Sequence, residues 1–319
     1  MKSGFFKAYA SFDELRANNH YQVAAWADGG FDIMNKAVRS HFHLQHGQKG
    51  GTSEIDFHYS SMPRPKDMPG SHYGILVTVQ LHGEEYPTKY SVNCHHFGLR
   101  DFSRRARFPD IREIYIYKLL ELIEVGPAVQ FILPKEWICS RAGTYIATKW
   151  RDDFISLSDL EKEEDVSVEA LVQLILLHIL FYIEHLHKYN CGQWRDTKTA
   201  AIVDFMPRES CYRRDVKKFL LGDGCVPFWD DIHSDLFSKC CGEKRLEVAK
   251  KWLQEWDLLS KIDKAAALIK NERDRMKMLE NGFTRYEELI DTVTDDLEYF
   301  ISKIKSNVKN LSSALGLDV

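Results

Sequence analysis

The sequence predicts an α+β fold of two lobes, a small antiparallel sheet with one helix followed by a larger, mostly helical part. Two observations support this prediction. Residues 74 to 97 alternate apolar and polar side chains on both sides of a short polar segment, which is the pattern of a β-hairpin. Beyond about residue 212, apolar side chains instead recur at helical spacing within charged stretches. We therefore expect two lobes with a cleft between them.

In chain order, the first half should be helical over residues 11 to 46 and should continue with a loop rich in glycine, proline and serine. The loop, residues 47 to 73, has room for at most one short strand near residues 55 to 59. The remaining elements expected in this half are hairpin strands at 74 to 81 and 89 to 97, a helix at 111 to 124 that ends before Gly126-Pro127, and strands at 128 to 134 and 144 to 150.

The second half should begin with a strongly apolar helix over residues 168 to 189, with Ser167 as its N-cap. The stretch GQWRDTKTAAIVDF, residues 192 to 205, predicts a small hairpin that ends at Asp204. Amphipathic helical stretches follow at 243 to 280 and 283 to 313. The expected division is an N-terminal helical and loop extension (1–73), a β-rich lobe (74–150) and a helical lobe (151–319).

The composition narrows the class of protein. Of the 319 residues, 44% are hydrophobic, and the net charge is -4, so the overall balance predicts neither a nucleic-acid nor a membrane surface. The longest apolar stretch, residues 171 to 183, falls short of the roughly 20 residues that cross a bilayer. The N-terminus lacks the apolar run of a signal peptide. We therefore expect a cytoplasmic or nuclear protein.

The cysteines and histidines predict no structural metal. The seven cysteines are odd in number, scattered and without a CxxC pair, which favours reduced thiols over a disulfide scaffold. Histidines cluster in HFHLQH, residues 41 to 46, and beside Cys94. Adjacent ligands do not easily complete a tetrahedron, so a zinc site is not expected there.

Three segments, in this order, resemble the protein-kinase-like fold, especially its choline- and aminoglycoside-kinase branch. REIYIYKLLELIEVGPAVQFI (112–132) resembles helix C and the strand after it, and LVQLILLHILFYIEHLHKYN (171–190) resembles the long helix of the second lobe. AAIVDF (200–205) resembles the strand that leads to the metal-binding aspartate. The resemblance covers roughly residues 74 to 207 and implies a small antiparallel-sheet N-lobe with one helix and a mostly helical C-lobe.

The resemblance also implies roles for particular residues. In such folds a lysine on the third strand holds phosphates and pairs with a helix C glutamate, a loop aspartate orients the acceptor hydroxyl, and an asparagine and a second aspartate hold metal. The glutamate is then Glu113 and the metal-binding aspartate is Asp204. ATP and Mg²⁺ are the cofactors implied.

Two of these roles lack their usual residue. The strand position expected to hold lysine is Asn93, and Lys89, four residues earlier, is the alternative phosphate ligand. Asp196 cannot be the acceptor-orienting aspartate, because the asparagine that should follow it would fall at Ala201. Asp196 is therefore predicted to be a turn residue.

The residues around the hairpin provide the remaining candidates. Gln193 stands where related kinases place an asparagine, so it is a candidate cofactor-binding residue. Asn190 and His187 are the candidates for the missing catalytic role, although asparagine cannot act as a general base at neutral pH. A glycine-rich GxGxxG loop is absent from the sequence.

Three functions fit these observations. The first is a pseudokinase-type binding or scaffold module with a protein partner and weak or absent phosphotransfer. The second is an active atypical phosphotransferase that uses ATP and Mg²⁺, with Asp204 as metal ligand. The third is a helical interaction module through residues 243 to 313, where an apolar stripe could instead pack within the chain. Its members are Leu289, Val293, Leu297, Phe300 and Ile304.

Overall fold

The computed structural model describes residues 30–53, 56–63, 74–94, 110–133, 144–163, 166–184, 186–207, 242–282 and 297–317. The helices in these ranges are α1 (Gly30–Gln48), α2 (Ile111–Leu122), α3 (Leu157–Glu163), α4 (Val168–Leu180), α5 (Gly242–Glu255), α6 (Leu258–Leu268), α7 (Lys270–Gly282) and α8 (Leu297–Ala314). The strands are β1 (His58–Pro63), β2 (Gly74–Gln80), β3 (Thr88–Cys94), β4 (Val129–Ile132), β5 (Tyr145–Lys149), β6 (Phe154–Ser156), β7 (Ile183–Glu184), β8 (Cys191–Trp194), β9 (Ala200–Ile202) and β10 (Met206–Pro207). The fold is therefore α+β, as predicted.

The chain divides into two units. Unit 1 takes its described residues from within 1–111, 128–152 and 271–294, and unit 2 takes its own from within 112–127, 153–270 and 295–319. Among the described helices, none is both long enough and apolar enough to cross a membrane.

Unit 1 is built on a five-stranded antiparallel sheet with the strand order β1-β2-β3-β5-β4. The predicted hairpin is confirmed, with Val79 of β2 opposite Thr88 of β3. Alternate side chains of a strand point to opposite faces, and Ile75, Val77 and Val92 accordingly lie in one buried cluster. The alternation seen in the sequence thus marks the buried face of the sheet.

Helix α1 packs against that face through Met34, Val38 and Phe42, which are spaced four residues apart and belong to the same cluster. The predicted helix is confirmed from Gly30 onward, and residues 11 to 29 lie outside the described residues. Residues from the predicted N-terminal extension therefore share one core with the sheet.

Strand β1 corrects the prediction for the loop before the sheet. The strand covers His58 to Pro63, whereas the sequence predicts at most a short strand near residues 55 to 59. Its sequence, HYSSMP, has no apolar alternation, so its backbone pairing with β2 defines the strand. Side-chain pattern alone could not locate it.

Unit 2 contains most of the helices that the structure describes, and here one predicted helix is too long. Helix α4 begins after the predicted N-cap, Ser167, whose side chain accepts a hydrogen bond from the Ala170 backbone N–H. The helix ends at Leu180 and does not continue to residue 189. Tyr182 adopts a left-handed backbone conformation (φ 53°), which interrupts the helix. The next two residues form β7, which pairs with β10.

The later helices are also shorter than the amphipathic pattern suggests. The predicted stretch from 243 to 280 forms three helices, because Asp257 (φ 45°) leaves the helical conformation between α5 and α6, and a turn at Ile269 separates α6 from α7. In the predicted stretch from 283 to 313, residues 283 to 296 lie outside the described residues, and α8 occupies the remainder.

Candidate functional site

The small hairpin of unit 2 places Asn190 beside Asp204. Strands β8 and β9 pair antiparallel, with Cys191 opposite Ile202. The pairing extends past the strand ends, because the Asn190 carbonyl oxygen accepts hydrogen bonds from the Val203 N–H at 2.9 Å and the Asp204 N–H at 3.4 Å. Asn190 and Asp204, both half-buried, therefore lie side by side at the open end of the hairpin.

A tight turn before β8 fixes Asn190. The His187 carbonyl oxygen accepts hydrogen bonds from the backbone N–H groups of Asn190 (2.7 Å) and Cys191 (3.2 Å). The Cys191 thiol lies 3.5 Å from the Leu186 carbonyl oxygen and adds a weak third contact. The His187 side chain is exposed. The turn therefore holds Asn190 through the backbone and leaves the imidazole accessible.

Helix α2 packs against the residue that follows Asp204. Phe205, the next residue, is only 1% exposed, and its ring packs against the ring of Tyr117 with a centroid separation of 4.4 Å. Glu113 lies one helical turn before Tyr117 on the same side of α2, and it is only 2% exposed. Glu113 and Asp204 thus belong to neighbouring segments of unit 2.

The C-terminal end of α2 is also bonded to the hairpin. The Trp194 indole N–H donates to the Glu124 carbonyl oxygen at 3.0 Å, and the Ile202 N–H donates to the Val125 carbonyl oxygen at 3.0 Å. Glu124 has a positive φ of 61°, and this conformation ends the helix before the predicted residue 124. The helix and the hairpin are therefore joined at two places.

Asn190 and Asp204 carry the oxygen ligands that suit a hard divalent cation. Mg²⁺ prefers carboxylate and amide oxygens and completes its shell with water and substrate phosphates, so a site with two protein ligands is sufficient. No group of three or more histidine, cysteine, aspartate or glutamate residues that could hold a metal occurs within the described ranges. The role of Asp204 as a metal ligand stays a prediction.

Lys89 lies in unit 1, on the third strand of the sheet. Lys89, Ser91 and Asn93 are half-buried and alternate with the buried residues of β3, so the three share the face opposite α1. Lys89 stands opposite Thr78 on β2. Lys89, the candidate phosphate ligand, and Asn93, at the position expected to hold lysine, therefore occupy the same face of the sheet.

Gln193 has a structural role in the hairpin. Its side chain is fully buried, and its amide oxygen accepts a hydrogen bond from the Ser167 N–H, at the start of α4, at 3.0 Å. It stands three residues after Asn190, and an odd separation along a strand turns a side chain to the opposite face. Its cofactor-binding role remains a prediction, and these contacts do not support it.

Gly192 is required by the close packing of β8 on β6. A Cβ atom at this position would lie 1.9 Å from the Ile155 carbonyl oxygen. Gly192 pairs directly with Ser156 across the two strands. The Gly192-Gln193 dipeptide is therefore explained by local packing.

Asp196 lies at the other end of the hairpin from Asp204. It is exposed, in the turn formed by residues 195 to 197, and Lys198 completes the reversal with a positive φ of 56°. The prediction that Asp196 is a turn residue is confirmed. The turn leading to Asn190 supplies no replacement, because residues 185 to 193 contain no aspartate or glutamate.

Tyr117, which contacts Phe205, is not among the residues predicted from the sequence. Its contact with Phe205 joins residues far apart in the chain, and an aromatic residue on an apolar helix face carries no signal of that contact. The Asn190–Asp204 pairing could have been found, since extending the predicted hairpin by one residue at each end brings the two segments together. Comparison with known proteins adds nothing to this geometry, because no family model and no curated protein matches the chain.

Proposed function

We propose that this chain is a divergent, two-lobed kinase-like protein of the pseudokinase type. It acts as a binding or scaffold module for a protein partner, with weak or absent phosphotransfer. The proposal is supported by the five-stranded antiparallel sheet of unit 1 and by the mainly helical composition of unit 2. It is also supported by the position of Lys89 on the third strand of the sheet.

The observation that carries the proposal is the Asn190–Asp204 pair, together with the lack of aspartate and glutamate in residues 185 to 193. The pair provides two oxygen ligands for Mg²⁺ bound to the phosphates of ATP. Phosphoryl transfer to a hydroxyl also needs a group that orients the acceptor and accepts its proton. Among the described residues 186 to 190, the exposed imidazole of His187 is the group that could take that task. These residues therefore support the binding of MgATP more than they support phosphoryl transfer.

The accessible His187 is the observation that favours an alternative, an active atypical phosphotransferase. His187 lies in the same turn as Asn190, and a neutral imidazole can accept a proton from a substrate hydroxyl. In this alternative Asp204 and Asn190 hold Mg²⁺, and His187 replaces the missing aspartate.

The helical interaction module has less support. The described members of the apolar stripe, Leu297, Phe300 and Ile304, are each at most 2% exposed. These side chains already pack within the chain and are not available to a partner.

A thermal-shift titration tests nucleotide binding. The full chain is titrated with ATP and with ADP, each with and without Mg²⁺, alongside Asp204→Asn and the matched control Asp196→Asn. Both variants neutralise an aspartate of the same hairpin, but only Asp204 lies beside Asn190. A ligand at about 100 times its Kd stabilises the folded state by about 2.7 kcal/mol.

The proposal predicts a Mg²⁺-dependent shift for the wild type and for Asp196→Asn and none for Asp204→Asn. No shift for any protein at millimolar nucleotide would remove ATP from the proposal and leave a scaffold. Phosphotransfer that disappears in His187→Ala would instead favour the active enzyme.

A further inference from the structure

Phe300 contacts three side chains from two other parts of unit 2. It lies in the first turn of α8 and is only 2% exposed. Its ring meets the ring of Tyr115 edge-on at 6.3 Å and the ring of Tyr182 at 6.2 Å. The Arg112 guanidinium lies 5.8 Å from the centre of the same ring. A single side chain of the last helix thus joins α2 to the segment after α4.

These contacts involve the segments that carry or adjoin Glu113 and Asp204. Arg112 and Tyr115 flank Glu113 on α2. Tyr182 immediately precedes β7, which pairs with β10, and β10 begins two residues after Asp204. Phe300 therefore touches the helix that carries Glu113 and adjoins the strand pair that follows Asp204.

Two hydrogen bonds reinforce this arrangement. The Asn307 side-chain amide of α8 donates to the Leu180 carbonyl oxygen, at the end of α4, at 3.3 Å. The Tyr115 hydroxyl donates to the Ile262 carbonyl oxygen of α6, also at 3.3 Å. Burial raises the pKa of Tyr115, so the hydroxyl remains a donor at neutral pH. Helix α8 thus holds the α4–β7 junction at two points, Phe300 and Asn307.

The conformation of Tyr182 explains why the junction needs support. A left-handed backbone is unfavourable for a residue with a side chain, and it persists where surrounding contacts hold it. The Phe300 ring supplies one of those contacts. Without this contact, the backbone from Tyr182 to β7 is held less firmly in its position.

We infer that α8 is an internal clamp on the candidate site and that Phe300 is its positioning residue. The clamp holds α2 and the β7–β10 pair in fixed positions relative to Asp204. Its effect on a ligand rests on the proposed function, in which Mg²⁺ and ATP bind at Asp204 and Asn190. On that basis, loosening the clamp weakens nucleotide binding.

Hydrogen exchange and calorimetry on the full chain test the clamp. Phe300→Leu removes the aromatic contacts and keeps an apolar side chain, while the matched control, Val308→Ala, removes buried volume from the same helix. We expect Phe300→Leu to accelerate amide exchange about tenfold in residues 111–117 and 182–184 relative to the control. We also expect it to raise the Kd for MgATP several-fold, with no such change in Val308→Ala.

Asn307→Ala provides a second, milder variant in case Phe300→Leu does not fold. It should accelerate exchange in residues 182–184 without affecting residues 111–117. The reason is that the Asn307 side chain donates to Leu180, at the end of α4, and not to α2. Equal acceleration of both segments by Phe300→Leu and Val308→Ala, or unchanged exchange in 111–117 with Phe300→Leu, would overturn the inference. If wild-type protein does not bind MgATP, the proposed nucleotide site fails, while the exchange comparison still decides whether the clamp exists.

Discussion

Replacing Gln193 by methionine separates a structural role from a ligand-binding role. Methionine nearly preserves the shape of glutamine but removes the oxygen that accepts the Ser167 N–H at 3.0 Å. A buried donor left without a partner costs about 1 to 3 kcal/mol. Ser167 is half-buried and water can partly replace the lost acceptor, so we expect a loss of about 1 to 2 kcal/mol.

Urea unfolding followed by far-ultraviolet circular dichroism measures this loss. The control is Gln254→Met, an exposed position on α5, where a substitution should change stability by less than about 0.5 kcal/mol. The Mg²⁺-dependent response to ATP should be the same in Gln193→Met as in the wild type. A variant as stable as the wild type that has lost its ATP response would refute the structural role and restore Gln193 as a cofactor ligand.

Three further predictions concern packing and ionisation. Gly192→Ala should lower the free energy of unfolding by about 3 kcal/mol or prevent folding, because the new Cβ would lie 1.9 Å from the Ile155 carbonyl oxygen. An unchanged urea midpoint would contradict the close packing of β8 on β6. Asn35→Ala should lower the free energy of unfolding by about 1 to 2 kcal/mol in the same assay, because the Asn35 side-chain oxygen accepts a hydrogen bond from the Tyr59 hydroxyl at 2.8 Å. A variant as stable as the wild type would show that this bond does not hold α1 to β1. Burial raises the pKa of Tyr59 and of Tyr90 to about 12, above the value near 10 of an unfolded tyrosine. Their protonated forms therefore stabilise the fold fully below pH 10, and this contribution should be lost as the pH rises toward 12. Tyr90→Phe should reduce the fall in unfolding free energy between pH 9.5 and 11.5, and an unchanged slope would show that Tyr90 ionises freely.

The sequence predicted best those elements whose signal is local. The strands around the 82–88 turn were found because their apolar alternation coincides with the buried face of the sheet. The hairpin that ends near Asp204 was found because its turn residues are typical of chain reversals. Ser167 was identified as an N-cap because the capping interaction involves residues only three apart.

The elements that were missed depend on contacts between distant residues. Apolar periodicity continues past Leu180, so the helix end could not be read from the pattern, and the two-residue strand β7 exists only through its pairing with β10. Gln193 was assigned by its place in a motif, while its actual partner, Ser167, lies 26 residues away. The sequence identified Asp204 and Asn190 as candidates, and the backbone pairing at the end of the hairpin brings them together.

Single-turnover ATP hydrolysis tests most directly the central claim that phosphotransfer is weak or absent. Excess wild-type protein is incubated with radiolabelled MgATP, and phosphate release is followed for hours beside Asp204→Asn and Asp196→Asn. Residues 185 to 193 contain no aspartate or glutamate that could orient an acceptor, so we expect the same near-background rate from all three proteins. A rate well above background in the wild type and Asp196→Asn that is abolished in Asp204→Asn would contradict the account and identify an active phosphotransferase.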